Sequence, residues 1–279
     1  MKHILSKTPT PTSEKKALAL IPARYDSQRF PGKLMQKLGD ATVILQTYRA
    51  AINTGLFRQV VVVTNSPLIY REITDNGGQA LLNRQEHACG TDRIAHAVAL
   101  LPHAELIVNI QGDEPFTRAE PLKALLQAME GSTKEAAGCP PPGPPAASLM
   151  TPITSEEEFL NPNVVKVVTD KAGYALLFSR APIPHLRHRP CANSGSLLLE
   201  NLCFRHIGVY AFRRETLLHF ATLTPGPLEL CEKLENLRFL ENGIGIKMVA
   251  VSSYPKGIDT PEDLENARHM LHDLPTRQP

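Results

Sequence analysis

Short apolar runs alternating with helix-patterned segments narrow what this chain can fold into more than any other feature of it. Val60-Val61-Val62-Val63-Thr64 is β-branched throughout. Leu18-Ala19-Leu20-Ile21, ending at Pro22, and Leu106-Ile107-Val108-Asn109-Ile110 are runs of the same kind. Strands without polar alternation are buried on both faces, as in a parallel sheet covered by helices. Residues 41–54 place Ile44, Tyr48 and Ile52 at helical spacing, with Asp40 as the expected N-cap. This rhythm predicts an α/β fold, a mostly parallel sheet with helices on both faces. Ligands of such folds bind beyond the carboxyl ends of the strands.

The second half is less regular. Val164 to Val168, Tyr174 to Phe178, His206 to Phe212 and Ile246 to Val251 read as strands. Residues 228–242 carry Leu230, Leu234 and Leu237 on one stripe and predict a single helix closed by Gly243. Thr260-Pro261-Glu262-Asp263 opens the last helix, with Thr260 as N-cap and acids in the first turn. Between them the pattern stops at residues 131–147, where five prolines fall between Pro140 and Pro145; this composition predicts a solvated insertion. The expected organisation is a disordered tail at 1–16, one α/β domain over 17–271, and a tail at 272–279.

Composition removes several classes of function. Lys and Arg number 30 against 28 Asp and Glu, and the formal charge of +2 offers no basic field for nucleic acid. No run approaches the about 18 apolar residues of a membrane-spanning helix. Met1 to Lys16 lacks the apolar stretch of a secretory signal. Cys89, Cys139, Cys191, Cys203 and Cys231 form no C-x-x-C pair and read as free thiols. The cytoplasm is the expected location, with no nucleic-acid partner and no membrane insertion.

Two loops carry candidate chemistry. Pro22 to Lys33 follows the first strand and holds Arg24, Arg29, Lys33 and a Pro31-Gly32 turn, a cation set suited to a polyphosphate. A solvated basic loop is the plainer reading, and neither a Walker A pattern nor G-x-G-x-x-G is present. The 106–110 strand runs into Gln111-Gly112-Asp113-Glu114-Pro115. An acid there either caps the next helix or holds a hard cation such as Mg²⁺ together with substrate phosphates. Asp259 follows another strand, and since Thr260 already serves as the cap, it is a second candidate.

Taken in order, these segments resemble the CMP-KDO synthetases, or 3-deoxy-manno-octulosonate cytidylyltransferases. The resemblance rests on Ile21-Pro22-Ala23-Arg24-Tyr25, Arg29-Phe30-Pro31-Gly32-Lys33, Gly90-Thr91-Asp92-Arg93 and Asn109-Ile110-Gln111-Gly112-Asp113-Glu114-Pro115. It continues through Asn161-Pro162-Asn163-Val164-Val165-Lys166, Phe178-Ser179-Arg180, Arg205-His206-Ile207-Gly208-Val209-Tyr210 and Gly257 to Leu264. The family implies a Rossmann-like nucleotidyltransferase fold with a smaller sugar-binding and dimerisation subregion, and a homodimer. It also implies transfer of CMP from CTP to the sugar acid KDO, for lipopolysaccharide synthesis.

By the same resemblance Arg24 and Lys33 hold the triphosphate, with Ala23 and Arg29 beside them, and Asp113 and Asp259 hold Mg²⁺. The segment Arg84 to Arg93 frames the base and ribose, with Arg84 and Gly90 foremost. Gln111, Arg180, His206, Tyr210, Glu229 and Glu232 face the sugar acid. Singly, Arg180 is equally a surface strand residue and His206 a satisfied core histidine. Asp26 and Gln28 are larger than the usual family residues, and Cys89 stands in for a Ser as a small polar group. His185-x-x-His188 with Cys191 has metal-like spacing but lies in a Pro/Arg-rich loop. Cytidylyl transfer to a related acid, 8-amino-8-deoxy KDO or a sialic-type sugar, is the alternative. A metal-dependent glycosyltransferase would carry Asp-x-Asp, which Gly112-Asp113-Glu114 is not, and intact Arg24, Lys33, Asp113 and Asp259 speak against a dead binding module.

Overall fold

In the computed structural model every residue of the first strand, β1 (Ala17–Ala23), is buried, so both faces of the sheet are covered there. The structure describes residues 17–26, 30–85, 87, 89–101, 104–130, 143–187 and 202–273. The 1–16 tail, most of the Pro-rich insertion, residues 274–279, His188, Cys139 and Cys191 lie outside these. The chain divides into two compact units, Met1–Ala119 with Pro255–Pro279, and Glu120–Tyr254.

The first unit continues through β2 (Lys37–Leu38), β3 (Ala41–Thr42), α1 (Val43–Asn53), β4 (Gln59–Thr64), α2 (Pro67–Asp75), β5 (Ala80–Leu82), α3 (Gly90–Ala99) and β6 (Leu106–Asn109). β1 pairs in parallel with β4 on one side, Ile21 opposite Val62, and with β6 on the other, Leu18 opposite Ile107. β4 pairs in parallel with β5. The chain therefore winds outward from β1 to β5 and returns to the far side of β1. The strand order reverses between β1 and β6, where the loops diverge and leave a crevice at the carboxyl ends.

β1 does not end at Pro22 but runs through it, Pro22 lying opposite Val63. The Leu20 carbonyl accepts from Ile110 N–H at 3.1 Å, and backbone direction repeats every two residues. Pro22 therefore turns its donor-less nitrogen toward the β6 side, past the last pair between Leu20 and Asn109, where no ladder bond is lost.

Local capping differs from the sequence reading. The α1 N-cap is Thr42, whose Oγ1 accepts from Leu45 N–H at 3.3 Å, and not Asp40. The β2–β3 hairpin takes up residues 41 and 42, so Asp40 lies too early and instead accepts from Gln46 Nε2 and Arg49. Ile52 is 47% exposed and lies off the buried face.

The second unit holds α4 (Ala119–Met129), β7 (Ala146–Pro152), α5 (Glu156–Leu160), β8 (Lys166–Thr169), β9 (Ala175–Ser179) and β10 (Phe204–Arg213). It continues with α6 (Arg214–Phe220), α7 (Pro227–Glu232), α8 (Asn236–Glu241) and β11 (Ile246–Ala250). Its sheet is mixed: β11 is parallel to β7, while β7–β10, β10–β8 and β8–β9 are antiparallel. The expected insertion is too long at its end, because Ala146 and Ala147 are fully buried in β7. The single helix expected over 228–242 is two. Lys233 adopts φ 55 and ends α7, which leaves Leu230 55% exposed while Leu237 is buried on α8. The chain closes in the first unit with α9 (Pro261–Asp273).

If Thr42 is the cap, Thr42→Ala loses about 1 kcal/mol of stability in urea titration. Asp40→Ala, which removes only an exposed pair, stays within about 0.5 kcal/mol.

Candidate active site

The loop leaving β1 is pinned at its base by Gly32 N–H, which donates to the Tyr25 carbonyl at 3.1 Å. Gly32 has φ +69, and a Cβ there would lie 3.3 Å from the Tyr25 hydroxyl, so glycine suits both backbone and space. Arg24 opens this loop with an exposed side chain; Arg29 lies outside the described residues. Lys33 follows at the start of a short 3-10 turn, Lys33–Met35.

The loop leaving β6 is packed against β1. A Cβ at Gly112 would lie 3.1 Å from the Pro22 carbonyl oxygen and 3.2 Å from Leu34 and Ile44 methyls. The Thr47 hydroxyl lies 2.9 Å from the Gly112 carbonyl. The next residue, Asp113, accepts through its backbone carbonyl from Ile258 N–H at 2.9 Å, and this bond brings Asp259 alongside. Asp263 completes the turn: its Oδ2 accepts from Asp259 N–H at 3.1 Å and Thr260 N–H at 2.9 Å, while Thr260 Oγ1 accepts from Asp263 N–H. Thr260 is thus the cap the sequence suggests.

These three loops meet at one point. Lys33 Nζ donates to Asp113 and, at 2.9 Å, to Asp259 Oδ1. Burial works against the Lys33 charge, but Asp113 and then Asp259 outweigh it and hold the ammonium above its usual pKa. Nearby, Gly90 begins α3, where a Cβ would lie 3.5 Å from Pro22 and 3.9 Å from Gln111 Oε1. Cys89 is the α3 N-cap, its sulfur accepting from Asp92 N–H at 3.4 Å, the small polar role expected of it. Arg84 is exposed on the loop before it. Arg93 ends the 84–93 segment expected to frame the nucleoside, though its backbone partners were not foreseen. Its Nη1 donates to the Ala23 carbonyl at 2.6 Å and to Asn65 Oδ1 at 3.3 Å, tying the ends of β1 and β4. Burial, and then the Arg24 charge, lower its pKa.

In the second unit Arg180 and Glu232 are joined. Arg180 N–H donates to Glu232 Oε2 at 2.9 Å, Arg180 Nε to the Glu232 carbonyl at 2.9 Å, and Ser179 Oγ to Glu232 Oε1 at 2.5 Å. Burial raises the Glu232 pKa, but these donors and the Arg180 and Lys166 charges win, and it sits below its usual value. His206 packs between Phe178 and Tyr210, ring centroids 5.0 and 5.2 Å away, with Nε2 at 2.9 Å from Ser148 Oγ. The Ser148 hydroxyl also faces the Ile207 and Val209 carbonyls at 3.1 and 2.9 Å. Tyr210 is buried and stacked on Phe212.

Glu229 was expected to face a cleft from the leucine-striped helix. Instead its carboxylate takes a bidentate grip from Arg238, Nε to Oε2 at 2.7 Å and Nη2 to Oε1 at 2.6 Å, with both residues buried. The helix break at Lys233 turns the chain so that residues nine apart meet, a contact no helical spacing predicts.

The sequence matches the cytidylyltransferase family over residues 18–248. The chain belongs to that family. It is 50% identical to a 3-deoxy-manno-octulosonate cytidylyltransferase of Flavobacterium johnsoniae, across 93% of this chain and all of that one. To the enzyme of the same name from Christiangramia forsetii it is 46% identical, across 93% and 98%. A solved CMP:2-keto-3-deoxy-manno-octonic acid synthetase complexed with CTP superposes with a TM-score of 0.80 at 33% identity, covering 92% of this chain and 99% of that one. A 4-diphosphocytidyl-2C-methyl-D-erythritol synthase from Anaerococcus prevotii, 15% identical with a TM-score of 0.55 and 92% and 99% covered, shares the fold.

Two predictions follow from buried groups of this cytidylyltransferase. Arg238→Met strands the Glu229 carboxylate and should cost about 3–5 kcal/mol in chemical denaturation. Adding Glu229→Gln should recover part of that loss. Burial pushes the His206 pKa down from 6.5 to about 3. The unfolded chain therefore binds the extra proton first as pH falls, and stability declines progressively below the unfolded value. His206→Phe should flatten that part of the stability–pH curve. In the native protein the His206 ring resonances should not titrate between about pH 5 and 8.

Proposed function

We propose that the protein activates KDO by cytidylyl transfer. The anomeric hydroxyl oxygen attacks the α-phosphorus of CTP and loses its proton. The bond from that phosphorus to the bridging oxygen of the β-phosphate breaks, so that pyrophosphate leaves and CMP-KDO forms for lipopolysaccharide synthesis. The observation that carries this reading is the meeting of Lys33, Asp113 and Asp259 beyond the strand ends where the order reverses, in a chain so similar to enzymes of that name.

Such a reaction needs in-line positioning and neutralised phosphate charge more than covalent help. Arg24 and Lys33 hold the triphosphate, and Arg93 fixes the β1 end from which Arg24 springs. Arg84 and Gly90 frame the nucleoside. Asp113 and Asp259 offer hard carboxylate oxygens directed at one point, a donor set that fits Mg²⁺ when phosphate oxygens complete it; those two residues would hold it. Bound there, Mg²⁺ supplies neutralisation of developing phosphoryl charge. Arg180, with Glu232, His206 and Tyr210 of β10, recognises the carboxylate and hydroxyls of the sugar acid.

We place the protein in the cytoplasm as a homodimer. Among the described residues β9 pairs on one side only and carries Leu176, 62% exposed, an apolar edge suited to a second copy. Light scattering after gel filtration tests the dimer.

Pyrophosphate release should be fastest with CTP, KDO and Mg²⁺ when CTP and UTP are crossed with KDO, 8-amino KDO and N-acetylneuraminic acid. A higher kcat/KM with either other acid would reassign the substrate. Asp113→Asn and Asp259→Asn should each fold yet lose about 100-fold or more in turnover, because metal stabilisation is worth several kcal/mol and each ~1.4 is a factor of ten. The double variant should be little worse than the poorer single one. Near-normal turnover of Asp259→Asn at saturating Mg²⁺ would leave Asp113 alone as the protein ligand.

A further inference from the structure

Lys166 is a buried charge with no part in the transfer chemistry above. It lies on β8 with 0% exposure. Its Nζ donates to the carbonyls of Asn161 at 2.9 Å, Val164 at 2.6 Å and Arg180 at 2.7 Å. Burial lowers its pKa, yet three acceptors take three N–H bonds and a neutral amine has only two, so these carbonyls hold the side chain as an ammonium. Carbonyl dipoles fix that charge without cancelling it. The carboxylate whose charge acts on it, Glu232, is already engaged by the Ser179 hydroxyl and Arg180 N–H. Desolvating a charge is expensive, and an apolar side chain of similar volume is often as good or better for stability alone.

The position of the charge is informative. Lys166 and Ser179 are cross-strand partners, and Nζ grips the backbone of the next residue, Arg180. The Arg180 guanidinium is tied by Nε to the Glu232 carbonyl and by Nη1 to the Pro162 carbonyl at 3.1 Å. Among the described residues its Nη2 has no acceptor. Two cations against one carboxylate leave this end of β8 and β9 with one net positive charge.

We propose that Lys166 is a positioning residue for an anionic substrate group, holding Arg180 by its carbonyl and adding a positive charge behind the guanidinium. The pair then selects a carboxylate over its uncharged isostere. This rests on the reading that Arg180 faces the carboxylate of the sugar acid.

The test measures calorimetric binding of KDO and of KDO C1-carboxamide to the full chain, each with a non-hydrolysable CTP analogue present. Lys166→Met should weaken KDO about tenfold, leave the carboxamide within about twofold, and leave the CTP analogue unchanged. Equal losses on acid and amide would mean that the lysine only holds the fold, and would overturn the proposal. Arg180→Ala is the control: if it fails to separate acid from amide, the assignment of Arg180 is what falls. Because Lys166→Met orphans three carbonyls, a wild-type measurement stands beside it. A buried charge is screened little by salt, so the preference for acid over amide should persist at about 0.5 M NaCl. Its disappearance there would leave the exposed guanidinium as its whole source and refute a role for Lys166.

Discussion

One ammonium shared by two carboxylates ties together the nucleotide end of the first unit. Lys33 and Asp259 are 226 positions apart, and Asp113 lies between them in sequence. Two like charges drawn to one point repel, and the ammonium between them offsets that repulsion and keeps the two side chains convergent. Its own placement depends on backbone, through the Gly32–Tyr25 closure and the bond from Ile258 to Asp113. Behind these lies the parallel pairing of β1 with both β4 and β6. Only a strand flanked on both sides by later strands sends its exit loop into the gap where they diverge.

How much of this could be read from the sequence depends on whether the cause was local. β1, β4 and β6 were legible because buried parallel strands are written as unbroken apolar runs. Thr260 was legible as a cap because a cap acts within three residues. Asp40 was misread because a hairpin of four residues, invisible to periodicity, consumed the positions between it and α1. The 228–242 helix failed for a related reason. Its leucine stripe was a helical pattern, but Lys233 at φ 55 divides it, and the exposed Leu230 was never part of the core. The expected orientation of Glu229 rested on that single helix, and its carboxylate pairs with Arg238 instead.

For the site, spacing alone located Asp113 and Asp259 at strand exits but could not make them meet. The ordered resemblance supplied that step. Neither route gave the contacts of Arg93, Lys166 or Arg238, for one shared reason. Each acts on backbone carbonyls or on a partner reached through a turn, and no local pattern encodes such a target. Buried cations of this kind are visible only once the carbonyls around them have coordinates.

The buried cations of the second unit also differ in how their charge is met. Arg238 is matched one to one with Glu229 and stacks over Phe220 at 4.3 Å, so its charge is spent inside the fold. Such a pair is costly to break. Lys166 is matched to dipoles only. A dipole orients toward a charge and lowers its energy, but leaves its field largely intact at longer range. A protein that needed only to close a turn at Asn161–Val164 would do so with a neutral donor. Retaining a full positive charge there, without a contacting carboxylate, puts a field where Arg180 has donors to spare. The arrangement makes physical sense if the missing negative charge arrives with the substrate.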